Sequence, residues 1–271
     1  MRRLEDLSRE AADIVQEVGG YIRKEARSFS ATDIEVKGLH DLVSYVDKEA
    51  ERRLVQGLSV LLPEAGFITE EQTVSQEEGQ YTWIIDPLDG TTNFTHGIPV
   101  YSISVALRKG SELVLGIVYA VEQSECFLAW KGGGCFLNGQ LVRVSPQAEM
   151  DAALLATGFP FRKFNHLQAY TALFQELMQT SRGIRRLGSA AIDLAYVACG
   201  RFDAFFEYNL QDYDIAAGIV LIREAGGLVC DFTGGDDMLE NGSIVAGNTG
   251  ISPQLLHRIS NHFTDFGNHT L

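Results

Sequence analysis

The stretch Asp86-Pro-Leu-Asp-Gly-Thr-Thr92 sets two carboxylates three residues apart at the end of an apolar run, Tyr81-Thr-Trp-Ile-Ile85, and follows them with a glycine and two hydroxyls. Crowded carboxylates repel unless something positive sits between them, and a hard divalent cation with oxygen ligands is the simplest partner. Gly90, Thr91 and Thr92 can open a helix or tight turn whose amides point at an anion. Carboxylates for a metal beside amides for a phosphate suggest metal-assisted phosphate chemistry. The plainer reading of the same residues is an aspartate turn and an Asp or Thr N-cap before a short helix. Glu70 and Glu71 end a short strand, Gly66-Phe-Ile-Thr69, and Asp86 ends the next, so these acids could share one sheet edge. Asp214, in Gln211-Asp-Tyr-Asp-Ile-Ala-Ala-Gly218, falls where a helix starts. It reads either as an N-cap or as a distant carboxylate completing a metal cluster, with the helix N-terminus adding partial positive charge toward phosphate. Taken alone, Asp47 reads as a solvated helix residue and Lys37 as a surface lysine.

These residues need elements to hold them. Leu4, Leu7, Ala11, Ile14, Val18 and Ile22 recur at three- and four-residue steps, the spacing of an amphipathic helix. A second such helix runs from about Tyr45 to Leu62 and is closed by Pro63. Strand-like runs at about 100–108, 112–121 and 125–130, with a turn at Arg108-Lys-Gly-Ser111, make the first half antiparallel and rich in hairpins. The second half alternates. Strands are expected at 152–156, 202–206, 228–231 and 244–246, and helices at about 165–180, 190–198, 215–225 and 253–262. An α/β (α+β) fold of two subdomains sharing an interface follows: 1–148 carrying most metal ligands, and 149–271 completing the site.

Composition bounds the partners. A formal charge of −14 over 271 residues argues against binding a nucleic-acid backbone, and the densest basic cluster, Arg182 to Arg186, has only three arginines. No apolar run approaches the roughly 20 residues of a membrane span, and no signal-peptide pattern follows the first residues. Cys126, Cys135, Cys199 and Cys230 show no C-x-x-C spacing and read as free thiols in a reducing cytoplasm.

Five ordered motifs resemble the inositol monophosphatase family: Asp41-Leu-Val-Ser-x-x-Asp47, Ile68-Thr-Glu-Glu71, Trp83-Ile-Ile-Asp-Pro-Leu-Asp-Gly-Thr-Thr-Asn-Phe94, Arg186-Leu-Gly-Ser-Ala-Ala191, and Tyr213-Asp-Ile-Ala-Ala-Gly218 followed by Glu224-Ala-Gly-Gly227. The resemblance implies a layered αβαβα sandwich, Mg²⁺ dependence with two or three ions per site, lithium inhibition and a possible homodimer. It implies that Glu70, Asp86 and the Leu88 carbonyl hold one Mg²⁺, and Asp86, Asp89 and Asp214 a second, with Glu70 helping to position a third. By the same resemblance Asp47 orients the Thr91 hydroxyl against the attacking water, and the Gly90 and Thr91 amides hold phosphate. Ser189, Ala190 and Glu207 are expected to meet substrate, together with Asp89 and Asp214. The implied reaction is hydrolysis of an inositol monophosphate or a related polyol or sugar phosphate. Histidinol phosphate, fructose 1,6-bisphosphate and 3′-phosphoadenosine 5′-phosphate are rival substrates within the fold, and a non-catalytic regulatory partner is the rival of another class. Thr69, Gln72 and Tyr213 depart from the family pattern, which puts the shape of the sugar pocket in question rather than the ligands.

Overall fold

The computed structural model describes residues 3–29, 34–38, 41–76, 78–159 and 165–264. The first helix, α1 (Leu4–Ala26), buries Leu7, Ala11, Val15, Val18 and Ile22 along one stripe. Its first turn is acidic and its last turn basic, which suits the helix dipole. A hairpin of β1 (Ile34–Gly38) and β2 (Asp41–Ser44) leads into α2 (Tyr45–Leu61). Ser44 and Asp47 start α2 as a reciprocal capping box. Asp47 is therefore buried at the helix start rather than solvated.

Seven strands follow: β3 (Ala65–Thr69), β4 (Tyr81–Asp89), then, after the short helix α3 (Thr91–Thr95), β5 (Ser102–Lys109), β6 (Glu112–Ala120), β7 (Glu125–Trp130), β8 (Gly134–Leu137) and β9 (Gln140–Val142). They form one sheet in sequence order, antiparallel throughout except that β3 runs parallel to β4. The parallel pair brings the ends of both strands to the same sheet edge, as Glu70 and Asp86 require. Both faces of this sheet are covered. Trp83, Ile85, Val105 and Ile117 pack with α1 and α2, while Ile84, Ala106 and Val118 face the opposite way. Alternation with a period of two supplies each face with its own apolar set.

The rest of the chain contributes β10 (Leu154–Thr157), α4 (Leu167–Thr180), β11 (Gly183–Arg185), α5 (Ala190–Ala198), β12 (Ala204–Tyr208), α6 (Asp212–Glu224), β13 (Leu228–Cys230), α7 (Met238–Asn241), β14 (Ser243–Gly247) and α8 (Ser252–His262). The second sheet has the order β11-β10-β12-β14-β13, with β10 parallel to both neighbours and the β14 pairings antiparallel. Helices α5 and α6 lie between the sheets: Ala191, Leu194, Ala217 and Val220 share a core with Ile84, Val118 and Phe205. On the outer face of the second sheet, Leu173, Leu177, Leu255 and Ile259 of α4 and α8 pack with Leu155, Phe206 and Val245. The layers run helix, sheet, helix, sheet, helix. No helix among the described residues is long and apolar enough to cross a membrane.

Several expected boundaries move, among them the strand expected at 152–156, which is Leu154–Thr157. The strand expected at 202–206 is Ala204–Tyr208, because Asp203 is tied by accepting the Leu154 amide at 2.7 Å. The helix expected from Ile215 begins at Asp212.

Candidate active site

The site is built first on an irregularity. Asp86 pairs with Ser104 of β5 and Asp89 with Ser102, so three residues of β4 span what two span on β5. In a regular strand, residues 86 and 89 would point to opposite faces; one extra residue restores their parity and aims both carboxylates the same way. Pro87, which has no N–H to give a ladder, sits inside this bulge. Ser102 and Ser104 show which way that is. Ser104 Oγ donates to the Tyr213 carbonyl at 3.0 Å, and Ser102 Oγ meets Ser189 Oγ at 3.0 Å, so the face looks at the starts of α5 and α6.

Asp214 lies at that junction. Gln211 is the N-cap of α6, and Asp214 is the third helical residue of a capping box, its Oδ2 accepting the Gln211 amide at 2.7 Å. The N-cap reading of Asp214 is thus off by one role. Its carboxylate joins Asp86 and Asp89 in a trio whose ligand oxygens all lie within 4.8 Å of one another. Glu70 follows β3, with its amide donating to the Ile85 carbonyl at 3.2 Å, and its carboxyl stands beside that of Asp86. Burial first, and then the neighbouring acids, push Glu70 and Asp86 well above the usual carboxylate range. Burial also raises Asp89, against hydrogen bonds from Ser189 Oγ at 2.6 Å and the Ala191 amide at 2.8 Å. Crowded, mutually repelling acids, all offering hard oxygen donors, are a fit for Mg²⁺ or a similar ion.

A cavity of about 280 Å³ opens on this trio. Its wall includes Glu70, Asp86, Leu88, Asp89, Gly90, Thr91, Ser189, Ala190, Glu207 and Asp214, which are all the expected site residues except Asp47. Asp47 stands behind the wall. Its Oδ2 accepts the Ser44 amide at 2.9 Å and its Oδ1 lies 3.0 Å from Thr91 Oγ1. The same hydroxyl lies 3.0 Å from the Leu88 carbonyl, and with one proton it can donate to only one of them at a time. Gly90, the N-cap of α3, has φ +94° and an added Cβ would fall 3.0 Å from the Val100 carbonyl, so only glycine fits. The starts of α3, α5 and α6 thus converge on one cavity, where their partial positive charges favour an anion.

Glu207 does not end its strand. It lies within β12, 6% exposed, and packs so closely on Gly158 that a Cβ there would fall 2.0 Å from its Oε1. Burial raises its carboxyl to about 8, which the Arg186 guanidinium opposes and Asp214 and Asp89 reinforce. Arg186, Asp193, Asn209 and Gly158 also line the cavity and were not among the expected site residues. Of these only Arg186 stood in a quoted motif. Glu51 was missed as well: one turn after Asp47 on α2, it accepts the Glu71 amide at 2.7 Å and the Thr73 amide at 2.7 Å, and so fixes the turn that carries Glu70. The i, i+4 spacing of Asp47 and Glu51 was the available signal. Thr69, Gln72 and Tyr213 do not line the cavity; Thr69 is instead tied to Gln76 through its amide at 2.7 Å.

Comparison with known proteins places nearly the whole chain among its relatives. Residues 3–264 match the profile of the inositol monophosphatase family. An inositol-1-monophosphatase of Mesorhizobium japonicum is 44% identical over 227 residues, which are 83% of this chain and 85% of that one. A Nus factor SuhB of Pseudomonas aeruginosa is 42% identical over 249 residues, 90% of this chain and 92% of that one. The solved structure of an IMPase from Thermotoga maritima superposes with a TM-score of 0.85 at 32% identity, covering 94% of this chain and 97% of its own. By these matches the protein is a phosphatase. The chain belongs to the inositol monophosphatase family.

Proposed function

We propose that this phosphatase hydrolyses the monophosphate ester of a polyol or sugar, with an inositol monophosphate as the reference substrate, and that it depends on Mg²⁺, two or three ions per site. The observation that carries the reading is the trio Asp86, Asp89 and Asp214 at the meeting of three helix starts, with the buried acceptor Glu207 on the same cavity wall. Glu70, Asp86, Asp89, Asp214 and the Leu88 carbonyl are the groups that would hold the ions. Such ions, when bound, polarise the phosphoryl oxygens and acidify a water.

The protein's own groups do the rest. Donation of the Thr91 proton to Asp47 leaves the Thr91 oxygen lone pairs toward the cavity, where they can accept from a water and aim it; Glu70 is the acid–base partner nearest the trio. The Gly90 and Thr91 amides would hold phosphate oxygens, and Ser189, Ala190 and Glu207 the leaving alcohol. A loose phosphoryl-transfer transition state asks mainly for such positioning and charge, so no covalent nucleophile is needed. The same carboxylate set makes inhibition by lithium part of the proposal.

A second reading has one finding in its favour, the 42% identity to a protein named Nus factor SuhB: a regulatory partner that keeps the fold. Phosphate release from inositol monophosphate, histidinol phosphate, fructose 1,6-bisphosphate and 3′-phosphoadenosine 5′-phosphate, with and without Mg²⁺, tests both. Preference for the polyol ester by at least 10-fold in kcat/KM is expected, and absence of turnover on every ester would leave the regulatory reading.

A further inference from the structure

Two groups on the cavity wall have no task in the reading above. Asp193 lies on α5, one turn after Ser189, and is 1% exposed. Its Oδ1 has no hydrogen-bond partner among the described residues. Asn209 follows Glu207 by two residues, just past β12, and takes the left-handed backbone (φ 69°) that asparagine tolerates. Its Nδ2 is also screened from solvent and without a partner. Neither group caps a helix or closes a turn with these atoms. Buried polar atoms are nearly always paired, so an acceptor and a donor left open on one cavity wall point to a ligand that pairs both.

We propose that Asp193 and Asn209 extend the leaving-group site beyond Glu207, so that the preferred ester is that of an alcohol with several free hydroxyls: Asp193 and Glu207 accept from two of them and Asn209 donates to another. The inference rests on the polyol reading and narrows it. A hydroxyl both donates and accepts, so one polyol can serve all three groups. An ammonium group serves the two carboxylates but has no lone pair for Asn209, and it meets the Arg186 guanidinium on the same wall. A bare alkyl ring serves none. Leaving buried polar groups unpaired is what makes such a site reject the lesser substrate.

The test compares kcat/KM for inositol monophosphate and for cyclohexyl phosphate, the same ring without hydroxyls, with phosphoethanolamine as the ammonium arm. Asp193→Asn and Asn209→Asp should each lower the inositol-to-cyclohexyl ratio by roughly 10-fold or more, the scale of one lost polar contact. A readout independent of turnover accompanies it. In excess EDTA, Asp193→Asn should melt at or above the wild-type temperature, because it removes an unpartnered buried acid, and free inositol should raise the melting temperature of wild type but not of the variant. A lower melting temperature, or equal losses on both esters, makes Asp193 structural and overturns the proposal. Loss of a wild-type preference for phosphoethanolamine in Asp193→Asn overturns it in favour of an ammonium ligand. If Glu207→Gln lowers the ratio and neither new variant does, the inference fails while the polyol reading stands. A wild type that hydrolyses both ring esters equally overturns that reading and the inference with it.

Discussion

Replacing Asp89 by asparagine separates folding from catalysis, because the two should move in opposite directions. Asp89 Oδ2 accepts from Ser189 Oγ and the Ala191 amide, and the carbonyl oxygen of an asparagine can take over both bonds. Its amide nitrogen then turns toward Asp86 and Asp214, which can accept. The ligand oxygens of the three acids lie within 4.8 Å, so each ionised pair repels by at least about 3.5 kcal/mol at an effective dielectric near 20. Protonation, which the raised carboxyls already favour, removes much of this, and about 1–3 kcal/mol remains for the substitution to relieve. In a protein of this size that is a rise in Tm of about 2–10 °C for metal-free Asp89→Asn. Turnover should fall by on the order of 10²-fold or more, because a carboxylate of the cation site is gone. Thermal melts in EDTA and steady-state phosphate release in Mg²⁺ measure the two arms. A variant that melts lower in EDTA while turning over normally would mean that Asp89 is a hinge between β4 and α5, and no part of a cation site.

Thr91→Ser keeps the hydroxyl that meets Asp47, whereas Thr91→Val keeps the shape without it, and the serine variant should be faster by roughly 10²–10⁴-fold if that oxygen aims the water; equal kcat values would leave residue 91 with a backbone role alone. Assayed above pH 8, where the Glu207 carboxyl is ionised, Glu207→Gln should lower kcat/KM for inositol monophosphate by roughly 10–150-fold, the worth of a charged hydrogen bond of about 1.5–3 kcal/mol, with the loss confined to the polyol ester; the same loss on an aryl phosphate would mark Glu207 as a support of the fold. Metal-free stability should depend on pH with a definite sign. Glu207 rises from 4.5 to about 8 on folding, so the stability it gives is complete below pH 4.5 and is lost as pH climbs through 8, and Glu70, Asp86 and Asp89 act in the same direction. Melts in EDTA should therefore fall in temperature from pH 5 to 8 while the stabilisation by added Mg²⁺ grows, and a metal-free Tm that rises across that window contradicts the assignment.

The layered order of elements was legible because both signals that carry it are local. Apolar residues at helical steps mark α1 and α2, and continuous apolar runs mark β4 to β7, which are buried on both faces. The short elements were not legible: the β1–β2 hairpin and the β8–β9 pair are three to five residues each and owe their form to pairing rather than periodicity. The parallel β3–β4 pairing is likewise a tertiary fact. Within the site, the acids Asp86 and Asp89 announced themselves, but the reason they cooperate, one extra residue in β4, is a matter of register. Asp193 and Asn209 carried no signal beyond residue type, since an aspartate within a helix and an asparagine after a strand are ordinary. Only the open acceptor and donor on a shared wall set them apart.

Phosphate release from inositol monophosphate as Mg²⁺ is titrated into EDTA-stripped protein tests the central claim most directly. Four acids grouped about one cavity should leave the stripped enzyme inactive, with activity returning as Mg²⁺ is added and falling again when Ca²⁺, larger and tolerant of irregular coordination, is supplied in excess. Full turnover in excess EDTA would contradict the account.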